Sequence, residues 1–251
     1  MSIKLMYKYM ADINIFLLCF NESALIPQTI KHYKKYLPSC KITIYDNEST
    51  DNSVEIAKEL GCSVISWNSK NIHDGDIMTR LRNSVWKTCL SGWIIMADMD
   101  EFICVTENEL QTELASGTTI LKIQGYEMIG ESATIDLSDI DLQQINKYII
   151  NEYESKNLCF LREAIDHMSY GPGSHKCNPK GTIKYSSRTY INKHMNYLGL
   201  NFITDKMIKR YDRSHKMRTK GHSRHYTNDI AKIEGEYRGF LRDAKMLKPI
   251  A

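Results

Sequence analysis

The chain has 251 residues, 42% of them hydrophobic and 25% charged, with a formal net charge of +3. That length suits one large domain, or one domain with a short appendage, and the balance is ordinary for a soluble globular protein. The net charge is too small to argue for nucleic acid, and no apolar stretch approaches the roughly 20 residues a membrane helix needs.

The first hundred residues alternate strand and helix signals. Residues 13–20 (INIFLLCF) form a nearly continuous apolar run, which predicts a strand buried on both faces. Residues 24–36 predict a helix, with Ile30 and Tyr33 on one face and Lys31, Lys34 and Lys35 elsewhere; Pro38 and Ser39 end it. Residues 41–45 (KITIY) predict a second strand, 53–60 a helix stopped by Gly61, and 63–67 (SVISW) a third strand. A helix over 78–90, with Arg80, Arg82 and Lys87 on its polar side, leads to a fourth strand at 93–97 (WIIMA). This cadence implies a parallel sheet with right-handed crossovers, in which ligands bind beyond the carboxyl ends of the strands. Later signals are weaker. Residues 119–124 and 157–160 predict strands, 135–151 a helix or loop, and 197–216 and 230–246 helices with basic faces.

Two motifs carry chemistry. In IIMADMDEF (94–102) an apolar strand delivers Asp98 and Asp100 two positions apart, a spacing that points both carboxylates the same way on an extended chain. Two hard oxygen ligands beside a cleft suit magnesium or manganese, and open coordination positions would accept phosphate oxygens. In YDNESTDNS (45–53) Asp46 sits just past a strand end, where it either accepts hydrogen bonds from a nucleoside or only builds a turn and helix cap with Ser49 and Asp51.

CFNESALIPQTIKHYKKYLP, ITIYDNESTDNSVEIAKELG and WIIMADMDEFI, in that order over about the first 105 residues, resemble the nucleotide-binding half of family 2 glycosyltransferases. GYEMIG (125–130), GPGSHKCNPKG (171–181), HMNYLG (194–199) and RHY (224–226) resemble one branch of that family more loosely. The resemblance implies a GT-A fold: a mostly parallel α/β sheet flanked by helices, with a C-terminal helical extension. It implies transfer of a sugar from a nucleotide diphosphate donor of the UDP- or GDP-sugar type to a hydroxyl on a saccharide or lipid-linked acceptor, with inversion. On it, Asn21, Glu22, Asp46, Asn47, Arg82 and Asp98 would meet the nucleotide. Asp98 and Asp100 would hold Mn or Mg, and His194 is a candidate third ligand, with a half-buried structural histidine as the alternative. The sequence departs from the commonest pattern in two places. Its turn reads YDNESTD where many members carry two acidic residues before Gly-Ser-Thr, and no clear Glu-Asp pair supplies a general base. Glu127, Asp166 and His175 are the candidates for that base. Lys209, Arg210 and Arg213 are placed to neutralise phosphate, and Tyr126, Tyr170 and Tyr197 to stack on a sugar.

The expected domain layout is a glycosyltransferase unit over 1–200, its nucleotide-binding half at about 12–105 and its acceptor half at 106–200, followed by a basic helical segment over 201–251. From 206 onward thirteen Lys and Arg face five Asp and Glu, leaving the rest of the chain net acidic. That tail is expected to meet an anionic partner, such as a diphosphate or a membrane surface, or else to form a solvated face. Seven single cysteines without a C-x-x-C pair, and a mixed polar start at 1–12, lead to an expectation of a reducing, cytoplasmic setting, peripheral to the membrane if the tail binds it. Two other readings are weighed. One is a haloacid-dehalogenase-type phosphohydrolase using Asp98, although its motif normally follows the first strand. The other is a non-catalytic binder of nucleotide-sugars or anions.

Overall fold

The computed structural model describes residues 11–70, 73–221, 223 and 225–247. It is an α/β fold around one large sheet. Four strands form its parallel part: β1 (Ile13–Cys19), β2 (Lys41–Asp46), β3 (Ser63–Ser66) and β4 (Trp93–Asp98), in the order β3-β2-β1-β4. Helices α1 (Ile26–Tyr36), α2 (Ser53–Glu59) and α3 (Gly75–Ser84) connect them. β1 is central and almost wholly buried, as its unbroken apolar run predicts. The chain winds one way from β1 to β3, then returns across β1 to place β4 on its other side. β1 and β4 therefore flank the switch point, where a crevice opens beyond the strand ends. Leu18 and Asp98 are register partners at that edge.

The second half adds β5 (Glu101–Cys104), α4 (Glu107–Ala115), β6 (Ile120–Ile129), β7 (Lys147–Ile150), β8 (Cys159–Leu161), the two-stranded pair β9 (Ile165–His167) and β10 (Lys180–Gly181), and β11 (Tyr185–Tyr197). β8 runs antiparallel to β4, and β11 bridges β5 and β6. The C-terminal helices α5 (Leu200–Arg213), α6 (His215–Thr219) and α7 (Ile230–Asp243) precede a short edge strand, β12 (Lys245–Met246). Ile203, Met207, Ile233 and Tyr237 share a small core with Ile129 of β6 and Tyr197 of β11, so these helices close over the second half of the sheet.

Several elements differ from the sequence reading. The helix expected at 78–90 starts earlier, at Gly75, because Asp74 caps it by accepting from the amides of Asp76 and Ile77; it then tightens into a 3₁₀ turn over Val85–Thr88. The segment 147–150, left open between helix and loop, is a strand on β6. The helix expected over 197–216 begins at Leu200 and breaks at Ser214. β11 was not expected at all. Its sequence is polar, yet Ser186, Asn192, Lys193 and Asn196 are buried in it. Among the described residues no helix is long and apolar enough to cross a membrane.

Candidate functional site

A cleft of about 1940 Å³ lies over the switch point. At one end it is lined by Asn21, Asn47, Thr50, Asp51 and Trp67, at the centre by Glu22, Asp98 and Asp100, and along one wall by α5. The other end is formed by Asn151, Tyr153, the Pro172-Gly173 turn and His175.

The first end is a laced pair of loops. Asn21, in the left-handed region at φ 53, accepts from the Thr50 amide at 2.7 Å, and the Asn21 amide donates to Ser49 Oγ at 2.8 Å. The Glu22 amide donates to Ser53 Oγ at 2.9 Å. Asp46 does not line the cleft. It is 2% exposed and its carboxylate accepts from the Ser49 amide at 2.9 Å and the Ser49 hydroxyl at 2.6 Å. The turn-building alternative describes Asp46, because a buried carboxylate takes the nearest donors. Asn47 lines the wall, but its side chain is held by Ser69, donating to Oγ at 2.8 Å and accepting from the amide at 2.9 Å.

At the centre, the two acids leave β4 with different partners. Asp98 Oδ1 accepts from Arg82, which is 3% exposed rather than on a solvated helix face. The Asp98 amide donates to Glu101 Oε2 at 2.7 Å. Burial works to raise the Asp98 carboxyl, but Arg82 and Lys156 outweigh it and hold it below the usual range. Asp100 is set well below that range against burial by Lys206, whose ammonium is 2.5 Å from Oδ2, and by His194 and Arg210, each 3.5 Å from Oδ2. Glu22, in the same wall, is pushed up by burial and by Asp100, with Lys206 opposing. Beneath the acids, buried Lys156 bridges Glu101 and Glu154, 2.7 Å from each. These two carboxylates keep it charged despite burial.

His194 stands on β11 with Nδ1 donating to Glu127 Oε2 at 2.9 Å. Burial disfavours its charge, but Glu127, Glu154 and Asp100 hold the imidazolium well above the ordinary range. His175 is tied differently. Its Nδ1 donates to the Tyr153 carbonyl at 2.8 Å and burial lowers it, so the neutral ring presents Nε2 as an acceptor. Gly173, at φ +67, makes room for that ring: a Cβ there would stand 2.5 Å from Nε2. Asp166 lies exposed on β9, outside the cleft, because the β9–β10 pair carries it away from the strand ends.

The phosphate-facing cations come from α5. Lys206, Lys209, Arg210 and Arg213 all line the cleft, while Ile203 and Met207, on the adjoining stripe, are buried against the second half of the sheet. Lys206, Arg210 and Arg213 repeat at i, i+4 and i+7, one helical face. That spacing was the sequence signal for Lys206, which went unread. Arg213 lies over the Phe20 ring at 3.3 Å, and Arg210 over Tyr226 at 5.7 Å. Of the 224–226 motif, Arg224 lies outside the described residues, while His225 and Tyr226 line the cleft. Elsewhere in the basic segment Lys216 pairs with Asp74 and Lys220 with Asp76, so much of its charge is engaged within the fold.

The aromatic expectations are corrected. Tyr126 is stacked on Tyr148 at 4.2 Å, and Tyr170 is buried with its hydroxyl donating to the Asn157 carbonyl. Tyr197 reaches the cleft but is held edge-on to Phe240. Tyr153 also lines the cleft and is 72% exposed, with its ring edge-on to His175 at 5.2 Å.

The residues fit an open divalent-metal site. Among the described residues no three His, Cys, Asp or Glu groups form a ready-made cage. Magnesium-type sites commonly rely on one or two carboxylates plus substrate phosphates, which Asp98 and Asp100 can satisfy. The Lys206 ammonium on Asp100 marks where positive charge is wanted.

Comparison with known proteins finds likenesses over parts of the chain. Residues 14–103 match the family model for glycosyl transferase family 2. Protein RfbJ of Shigella flexneri is 30% identical over 74 residues, 30% of this chain and 56% of that protein. The uncharacterized glycosyltransferase RP128 of Rickettsia prowazekii (strain Madrid E) is 32% identical over 107 residues, 42% of this chain and 32% of that protein. The chain thus spans about half of the first relative and a third of the second. Among solved structures, S. aureus TarS superposes with a TM-score of 0.49 at 11% identity, covering 78% of this chain and 40% of that one. Glucosyl-3-phosphoglycerate synthase from Mycobacterium tuberculosis, crystallised with Mn2+, UDP and glucosyl-3-phosphoglycerate, gives 0.34 at 19% identity, covering 46% and 44%. The matched residues 14–103 run from β1 into β5 and carry both acids of the β4 exit, so over that part of the chain the likeness is to glycosyl transferase family 2.

Proposed function

We propose that the protein transfers a sugar from a nucleotide diphosphate donor, of the UDP- or GDP-sugar type, to a hydroxyl of a saccharide or lipid-linked acceptor, with inversion at the anomeric carbon. One observation carries this reading: the acidic exit of β4 opens into the same cleft as the laced loops after β1 and β2, opposite the cationic stripe of α5. The loop end takes the nucleoside, with Trp67, Asn47 and Asp51 as its wall. Asp98, Asp100 and His194 would hold a divalent ion, which supplies Lewis-acid stabilisation of a diphosphate. Lys206, Arg210 and Arg213 receive the negative charge that grows on the leaving group as the bond from the anomeric carbon to its phosphate oxygen breaks. His175 Nε2 accepts the proton of the acceptor hydroxyl as the new carbon–oxygen bond forms. Tyr153 offers its face to the acceptor sugar beside that base. Seven free cysteines suit a reducing compartment, which supports a cytoplasmic reaction. The phosphohydrolase alternative is less well supported, because Asp98 follows the fourth strand and its Oδ1 is taken by Arg82.

Thermal melting with UDP- and GDP-sugars, with and without Mn2+, tests the reading. A matched donor raises the melting temperature by binding the native state, more so with the ion. No shift with any nucleotide-sugar would overturn it.

A further inference from the structure

We infer that Glu127 is a positioning residue, not the general base: it fixes the ring of His194 so that Nε2 faces the cation site beside Asp100. The inference rests on the metal reading above and deepens it. The fold builds the pair directly, since Glu127 on β6 and His194 on β11 are register partners across parallel strands. Glu127 Oε2 accepts from His194 Nδ1 at 2.9 Å and from Asn151 Nδ2 at 3.1 Å. Both donors converge on one oxygen, so the carboxylate is pinned from two sides. Asn151 can approach because Gly125 lies beneath it: a Cβ there would stand 2.4 Å from the Asn151 carbonyl oxygen. With Nδ1 committed as a donor to Glu127, Nε2 is the nitrogen a cation would take in exchange for its proton, and it faces Asp100 Oδ2 at 3.5 Å. A carboxylate behind a ligating histidine sets its tautomer and raises its basicity. The same arrangement removes Glu127 as a base. Its second oxygen, Oε1, is buried and has no hydrogen-bond partner, so no acceptor hydroxyl reaches it.

The test is Mn2+ binding to the full chain, followed by the electron paramagnetic resonance signal of free Mn2+, for the ion alone and with UDP or GDP. Glu127→Leu should weaken Mn2+ binding about ten- to a hundredfold, as His194→Ala does, whereas Glu127→Gln, whose amide oxygen still accepts from Nδ1, should stay within about threefold. The double variant Glu127→Leu/His194→Ala should bind no more weakly than His194→Ala alone, because the two act as one unit. Circular dichroism checks each variant's fold, and Glu127→Gln keeps the comparison readable if Glu127→Leu does not fold. Wild-type affinity in Glu127→Leu alongside a loss in His194→Ala overturns the positioning role and leaves the metal reading standing. An additive double variant overturns it as well. Absence of Mn2+ binding by the wild type in every arm overturns the metal reading itself, and this inference with it.

Discussion

Lys206 and Asp100, 106 residues apart in the chain, form an ion pair at 2.5 Å in which both side chains are largely buried. A divalent ion and this ammonium seek the same carboxylate. Lys206→Met should therefore have opposite effects on two ligands. It leaves the buried Asp100 carboxylate with His194 and Arg210, each at 3.5 Å, and lowers stability by about 3 kcal/mol. It also frees Asp100, so added Mn2+ should raise the melting temperature more than in the wild type, while the nucleotide diphosphate binds less tightly. Identical Mn2+ shifts in melting scans of both proteins would count against the competition.

His32 sets an acid limit on stability. It is 1% exposed, its Nε2 bonds the Ile103 carbonyl at 3.0 Å, and its Nδ1 meets Gln143 Nε2 at 3.0 Å. Only the neutral ring satisfies both, one nitrogen donating and the other accepting. Burial pushes it down to about 4, and burial with Arg210 does the same to His73. An unfolded histidine titrates near pH 6.5, so below that the unfolded chain takes up protons that the native state refuses. Stability should fall as pH drops from about 6.5 to about 4, by on the order of 3 kcal/mol for His32 alone. Urea unfolding across this range should show the slope, and His32→Gln should flatten it. An unchanged slope in that variant would assign the acid sensitivity elsewhere.

Gly173→Ala probes the base proposed at His175 without replacing it. The added methyl would enter the His175 ring position, and L residues are strained at φ +67. Displacing the ring by about 1 Å should lower kcat by roughly a hundredfold. The donor affinity should be unchanged, as expected of a base that meets only the acceptor hydroxyl. Turnover at the wild-type rate would remove His175 from the chemistry.

Tyr153→Ala should raise KM for the acceptor roughly tenfold and leave KM for the donor alone, because the ring is exposed on the acceptor side and packs only edge-on against His175. Tyr153→Phe should behave as wild type. A donor-side defect in steady-state kinetics would place Tyr153 in the wrong subsite.

The legible parts of this molecule were those whose residues had one physical option. β1 and β4 are continuous apolar runs, and the two carboxylates close the second of them, Asp98 as its last strand residue and Asp100 in the turn just beyond. β11 was illegible because its burial is compensated by distant partners: Asn192 donates to the Glu154 carbonyl at 3.2 Å, and His194 meets Glu127. Arg82 shows the same limit. A helix pattern places it on the polar face, and only tertiary structure reveals that this face looks at Asp98. Asp46 was readable as either a ligand or a turn former, and the structure shows its turn-forming bonds to Ser49. Tyr153, within a short 3₁₀ turn, carries no periodic signal that would distinguish it from the packed tyrosines.

The order in which the chain is made bears on Asp100. Its strand exit emerges early, but its counter-charges sit on β11 and on α5, close to the end. A nascent chain stalled before residue 200 would already contain every strand of the parallel sheet, yet its Asp100 would lack Lys206 and Arg210. Translation therefore supplies the counter-charges of Asp100 well after the strand that carries it, and products terminated in between would have the scaffold without this charge balance.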